Sequence, residues 1–232
     1  ATTSTVQANT TAGFSIVQWT GSGANATIGH GLGVAPKMII VKNRSEGQAW
    51  GFYHGDTGIV SDTETDYMDI ASASGWTDEA TYWNDTKPTS SVFSVGSSNS
   101  TNKSTNLMIA YCFAEVRGFS SMGTYHGVDD NANGPFVYTG FRPSMVIIKR
   151  TDGNENWQVA DIARATIEKD GTQGSQGNII ESKLMLNDAA VENSNSGDLD
   201  IYSTGFKLRD TDGIHNWTNY KYVYYAVAEN SI

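Results

Sequence analysis

Gly33-Val34-Ala35-Pro36-Lys37-Met38-Ile39-Ile40-Val41-Lys42, with Trp50 after it, returns later as Gly140-Phe141-Arg142-Pro143-Ser144-Met145-Val146-Ile147-Ile148-Lys149, with Trp157 after it. Gly, Pro, Met, Lys and Trp recur 107 positions on, as from Pro36 to Pro143. Self-similarity of this kind sets the unit of folding and is read before other elements are assigned. Each copy holds a short β-branched run two residues after a proline and bounded by turn residues, the pattern of a buried strand. Proline at such a start removes no ladder hydrogen bond. The polar turns that follow, 43–49 and 150–156, return Trp50 and Trp157 across the sheet, where an indole adds a large apolar contribution. Pro36, Met38, Trp50, Pro143, Met145 and Trp157 are therefore read as scaffold.

Other matches bracket this block in the same order. Gly13-Phe14-Ser15 resembles Gly118-Phe119-Ser120, and Trp19 answers to Tyr125. Ser90-Ser91-Val92-Phe93 resembles Ser203-Thr204-Gly205-Phe206, and Asn102-Lys103-Ser104 resembles Asn216-Trp217-Thr218. Tyr111, Ala114 and Glu115 match Tyr225, Ala228 and Glu229, which adds Tyr111 and Tyr225 to the scaffold. The expected organisation is a lead-in strand or linker over 1–12, one β repeat over 13–117 and a second over 118–232. Residues 14–19, 38–41, 107–116, 145–148 and 220–228 read as strands, with Tyr220, Tyr222 and Tyr224 on one face of the last and Lys221, Val223 and Tyr225 on the other. Asn/Gly/Ser/Asp clusters punctuate at short intervals, which suits sandwiches. The fold class expected is all-β: two tandem β-sandwich-like repeats of antiparallel strands, with little helix. A short helix is expected near 162–169, and irregular excursions near 59–83 and 160–191.

Composition narrows the function. Of 232 residues, 17% are charged and 11% aromatic, and the formal net charge is −10. An acidic surface repels phosphate backbones, so nucleic acid is not an expected partner. The single cysteine, Cys112, excludes an intrachain disulfide and reads as a buried small hydrophobe. No apolar stretch approaches the ~18 residues of a membrane span, so membrane insertion is not expected. A polar surface built on hydroxyls and amides more than on charge suits extracellular proteins and virion fibres.

His30, His54, His126 and His215 lack the paired spacing of a zinc site. Asp129-Asp130-Asn131-Ala132-Asn133-Gly134 opens like an oxygen-rich calcium loop, but its twelfth position is Gly140 where a bidentate acid is needed. An Asn/Asp/Gly turn is the simpler account, leaving calcium at Asp129–Asn133 as the one cofactor alternative to none. There is no G-x-S-x-G nucleophile motif. Asp62, Glu64, Asp66, Asp69, Asp78 and Glu79 form an acidic loop with no counterpart later in the chain, which speaks against a paired-carboxylate glycosidase. Glu115 and Glu229 recur at strand ends, where such acids serve loop N–H groups. Trp19, Trp76, Trp83 and Trp217 lie near polar loops and are candidates for an exposed platform. Of these, Trp76, Trp83 and Trp217, with Asp129, Asn131 and Asn133, are taken as ligand-contact residues.

Three strings carry a family resemblance: residues 13–17 with Ile28-Gly29-His30-Gly31-Leu32-Gly33-Val34-Ala35-Pro36-Lys37-Met38-Ile39-Ile40-Val41-Lys42, residues 109–120, and Gly134-Pro135-Phe136-Val137-Tyr138-Thr139-Gly140-Phe141-Arg142-Pro143. They resemble a module of structural proteins, of tail-fibre or capsid-fibre type, in tailed phages of aquatic bacteria. The resemblance covers nearly the whole chain and departs most over 166–198. It implies a virion surface protein, extracellular in location, and supplies no catalytic residues. The expectation is a non-enzymatic fibre or adhesin domain contacting host surface glycans. A capsid-decorating or fibre-forming assembly protein is the first alternative and a polysaccharide depolymerase the second. Expected partners are other virion proteins and further copies of the chain, with a trimer as one form.

Overall fold

A computed structural model describes residues 2–55, 64–163, 179–180, 182–192 and 199–229. The chain divides into two compact units, one formed by 1–72 and 76–116 and the other by 73–75 and 117–232. The lead-in is thus part of the first unit, and three residues from the middle of that unit's sequence group with the second.

The first unit contains β1 (Ser4–Asn9), β2 (Phe14–Thr20), β3 (Ala26–Gly29), β4 (Met38–Asn43), β5 (Trp50–His54), β6 (Asp66–Asp69), β7 (Thr77–Asp78), β8 (Val92–Val95), a one-turn helix α1 (Asn99–Asn102) and β9 (Leu107–Phe113). Its main sheet runs β1-β2-β9-β4-β5-β6-β7, and β3 pairs with β8 in a separate small sheet. All these strand pairs are antiparallel. Side chains alternate across a strand. Val17, Trp19, Ile39, Val41, Tyr53, Met108, Ala110 and Cys112 therefore leave one face of the main sheet together, and Ile28, Phe93 and Val95 of the small sheet join them in one core. Burial pushes the Cys112 thiol up to about 12.

The second unit contains β10 (Ser120–His126), β11 (Phe136–Tyr138), β12 (Pro143–Arg150), β13 (Gln158–Asp161), β14 (Ile179–Ile180), β15 (Leu184–Met185), β16 (Leu199–Tyr202), β17 (Gly205–Leu208) and β18 (Lys221–Ala228). Its main sheet runs β10-β18-β12-β13-β15 and its smaller sheet β11-β17-β16-β14. Val146, Ile148, Tyr222, Tyr224 and Ala226 from the former meet Val137, Ile201, Phe206 and Leu208 from the latter. Each unit is thus sandwich-like, and both central strands fall where the sequence predicts them. None of the described residues forms a helix long and apolar enough to cross a membrane.

Strand register matches between the units. Met38 lies opposite Phe113 and His54, as Met145 lies opposite Val227 and Asp161. Lys42 pairs with Trp50, and with Ile148 opposite Gln158, Lys149 and Trp157 take the same places at the turn from β12 into β13. Two details differ from the sequence reading. Phe14 lies opposite Phe113 while Ser120 lies opposite Val227, so the register equates Phe14 with Ser120 and the Gly-Phe-Ser match is one residue out of step. Residues 66–69 and 77–78 form β6 and β7 at the sheet edge in place of an irregular loop. The helix expected near 162–169 and Asp62 lie largely or wholly outside the described residues, as does most of 166–198.

The scaffold residues divide. Pro36, Met38, Pro143 and Trp157 are buried, whereas Trp50, Tyr111, Met145 and Tyr225 are half-buried on the sheet face opposite the core. Trp50 is correspondingly not a core indole. Its ring lies beside Lys42, whose Nζ is 5.1 Å from the ring centroid.

Candidate functional site

The matched asparagines organise a corner in each unit. Asn102 is fully buried: its Nδ2 donates to Ser22 Oγ, Ala24 O and Gly96 O, and its Oδ1 accepts from Trp19 Nε1 and Ser22 N. Asn216 is also fully buried: its Nδ2 donates to Asp210 O and Asp130 O, and its Oδ1 accepts from Val128 N. The backbone around them corresponds bond for bond. Asn102 N donates to Ser98 O and Asn216 N to Asp212 O, both at 2.8 Å. Gly23 N donates to Asn102 O and Asp129 N to Asn216 O, both at 2.7 Å. Thr105 and Asn219, which close the two turns, have φ of 67° and 66°. Asp129 has φ 54° where the first unit has Gly23 at 70°, so its conformation belongs to this corner and does not by itself mark a metal loop.

In the second unit the sheet grips the corner. Tyr222 on β18 donates through its hydroxyl to Gly213 O (2.9 Å) and accepts from Trp217 N (3.0 Å). Tyr125 on β10 stacks on Tyr222 at 5.1 Å and donates to His215 O (2.8 Å). The buried His215 imidazole sits between Gln158 Oε1 (2.8 Å) and Asp210 Oδ1 (2.5 Å). On this base stands an aromatic group. Trp217 is 44% exposed and stacks on Tyr220 at 5.5 Å and 27°. The Arg150 guanidinium lies 3.5 Å from the Tyr220 ring centroid and 5.9 Å from that of Trp217. Asp152 (3.0 Å) and Glu155 (3.6 Å) hold that guanidinium by ion pairs. A fixed indole with a large open surface and carboxylates nearby suits a ligand with an apolar face and hydroxyl groups.

The other candidates fare differently. Trp83 is 1% exposed and packs edge-on against Tyr53 at 5.7 Å, so it is core. Its polar flanks, Thr81, Asn84, Asp85 and Thr86, belong to turns that fold the indole inward. Trp19 is likewise buried, with its Nε1 on Asn102. Trp76 is half-buried, and its buried Nε1 has no partner among the described residues.

Asp129, Asn131 and Asn133 are exposed in their turn. Asp130 Oδ1 accepts from Ala132 N and Asn133 N, both at 2.8 Å, and its Oδ2 accepts from Asn133 Nδ2. The Asn133 backbone and side-chain bonds hold the Asp130 carboxyl below its ordinary range. The turn's own amides thus use these oxygens, and no group of three or more His, Cys, Asp or Glu among the described residues is placed to hold a metal ion.

Among the described residues of the acidic segment, three carboxylates serve local structure. Asp69 Oδ1 accepts from Trp50 N and Ala71 N, Glu79 Oε1 accepts from Thr81, and Glu64 pairs with Lys87. Glu115 and Glu229 pair with Lys37 and Arg142, both at 2.7 Å.

A protein-family model described as a domain of unknown function (DUF7483) matches residues 1–231. The chain belongs to that family. The family domain therefore spans both units. No curated protein and no solved structure gave a significant match.

Sequence reasoning missed Arg150, Tyr220 and the exposed Phe136, Tyr138 and Tyr202. Alternation along 136–138 carried a signal: a buried Val137 forces both neighbours outward. Arg150 had none, because its stacking partner lies 70 residues away in sequence.

Proposed function

We propose that this chain is a non-enzymatic structural protein of a phage virion surface, built on a duplicated β-module, and that its second unit contacts a host-surface glycan. The phage assignment comes from the resemblance of residues 13–17, 28–42, 109–120 and 134–143 to fibre-type virion proteins. The glycan assignment rests on one asymmetry. Among the described residues, every exposed large aromatic (Phe136, Tyr138, Tyr202 and Trp217) belongs to the second unit, whereas the first exposes only the aliphatics Val6, Val34 and Leu107. Aromatic faces beside polar groups are the ordinary means of holding sugar rings, whose C–H faces stack while their hydroxyls hydrogen-bond.

Further copies of the chain and other virion proteins are the partners this reading implies, with a trimer as one form. The test is binding of fluorescent whole chain to cells of the bacterium the virion infects. Saturable binding competed by the host's extracted polysaccharide, and weakened in Trp217→Ala, supports the proposal. Chain that ignores cells but sits on capsids at fixed stoichiometry supports the decorating role. A fall in polysaccharide viscosity on incubation supports a depolymerase.

A further inference from the structure

The smaller sheet of the second unit has an outward face unlike its counterpart in the first. With Val137, Ile201, Phe206 and Leu208 in the core, alternation sends Phe136, Tyr138, Gly205, Lys207, Asp200 and Tyr202 to the other side. Register places Tyr138 opposite Gly205 and Gly205 opposite Tyr202. The central position thus has no side chain of its own, and the Phe136 ring lies against it: a Cβ built on Gly205 would come within 2.9 Å of the Phe136 ring tip. Phe136 meets Tyr202 edge-on at 5.8 Å and 75°. Phe136, Tyr138 and Tyr202 are 48%, 68% and 38% exposed. In the first unit the strand pair β3–β8 puts Thr27, Gly29, Val92 and Ser94 outward, with no aromatic among them.

Beside these rings lies a buried carboxylate that is only partly satisfied. Asp200 is 6% exposed and shares a face with Tyr202. Its Oδ2 accepts from the Tyr202 hydroxyl (3.2 Å) and pairs with Arg209 Nε (3.3 Å). Its Oδ1 is buried with no partner among the described residues. A buried acceptor left without a donor carries its desolvation penalty uncompensated and stands to gain from any donor that reaches it.

We propose that this face is a carbohydrate-binding site for neutral pyranose oligosaccharides, with Phe136, Tyr138 and Tyr202 stacking on the sugar rings and Asp200 accepting from a sugar hydroxyl. It deepens, and rests on, the glycan-contact reading above. Size favours a sugar over a protein. At roughly 200 Å² per aromatic side chain the exposed parts total about 300 Å², well short of the ~800 Å² each partner gives to a stable protein interface. Charge favours a neutral sugar, because a net charge of −10 and the Asp200 carboxylate both oppose an anionic one.

The test is saturation-transfer NMR on the whole chain with maltotriose, cellotriose, chitotriose and galactotriose at millimolar concentration. At least one should show transfer, lost in Tyr138→Ala/Tyr202→Ala, reduced at least tenfold in affinity in Asp200→Asn, and kept in Leu107→Ala on the first unit. Thermal midpoints of the variants identify any that fail to fold. No transfer from any of the four overturns the site, as does transfer that survives the double variant. Concentration-dependent self-association abolished by the double variant also overturns it and makes the face a protein interface. The broader reading fails separately: only chain that binds neither host cells nor host polysaccharide removes it.

Discussion

In the first unit the corner built on Asn102 carries Lys103, bound to Glu46 at 2.6 Å, and Asn106, whose amide donates to Asn43 Oδ1 at 3.2 Å. In the second, the corner built on Asn216 carries Trp217 and Tyr220, with Arg150 stacked over them. Arg150 ends β12 where Asn43 ends β4, and the Tyr220 carbonyl accepts from Gly127 N as the Asn106 carbonyl accepts from Gly21 N. The backbone and its buried amide are held in common, while the outward side chains are exchanged for aromatics. A corner fixed from within tolerates replacement of its outer residues, since exposed pairs such as Lys103–Glu46 contribute little to stability. The hydrogen bonds of Asn102 and Asn216 are scaffold, and the difference between the units lies in what that scaffold presents.

The largest effect tests the shared base. Asn102→Ala strands five hydrogen-bonding groups and Asn216→Ala strands three. Urea denaturation should show losses on the order of 3 kcal/mol for the first and somewhat less for the second. A neutral result at either position breaks the correspondence.

A second comparison concerns the matched lysines. Lys42 is half-buried and donates to Gln48 O, whereas Lys149 is fully buried and donates to Ala73 O, Arg150 O and Gly153 O. Burial lowers the Lys149 amine to about 8 from 10.5. The unfolded chain then binds more protons between those values, so stability rises with pH across that window and the gain is lost as pH falls through 8. The difference in unfolding free energy between the native chain and Lys149→Met should change by on the order of 3 kcal/mol from pH 7.5 to 10.5.

Smaller effects sharpen the contrast. Trp217→Ala should weaken host-cell binding about tenfold, or about 1.4 kcal/mol, while Lys103→Ala at the matching position leaves binding unchanged. Glu115→Ala and Glu229→Ala each break one exposed ion pair and should cost under about 1 kcal/mol by thermal melting.

Much of the scaffold was legible because it is written locally. The proline, the β-branched run and the returning Trp fix β4–β5 and β12–β13, and the matched tyrosines locate both central strands. Buried and exposed tryptophans were harder to separate. Trp83 and Trp217 both stand in polar turns, and only the packing against Tyr53 or Tyr220 distinguishes them. The candidate site depends on such distant pairings: Arg150 with Tyr220, and Phe136 with Tyr202. The one-residue offset that aligns Phe14 with Ser120 instead of Phe119 was also invisible, because Gly-Phe-Ser matches as letters whichever residues the sheet aligns.

The central claim is that one scaffold presents a glycan-binding surface in the second unit and none in the first. Its most direct test is titration of fluorescent whole chain onto host cells, comparing the native chain with Trp217→Ala/Tyr138→Ala and with Lys103→Ala/Leu107→Ala. The account predicts saturable binding, competed by host polysaccharide, that is lost in the second-unit variant and kept in the first-unit variant. Binding that survives the second-unit changes, or that disappears with those in the first unit, would contradict it.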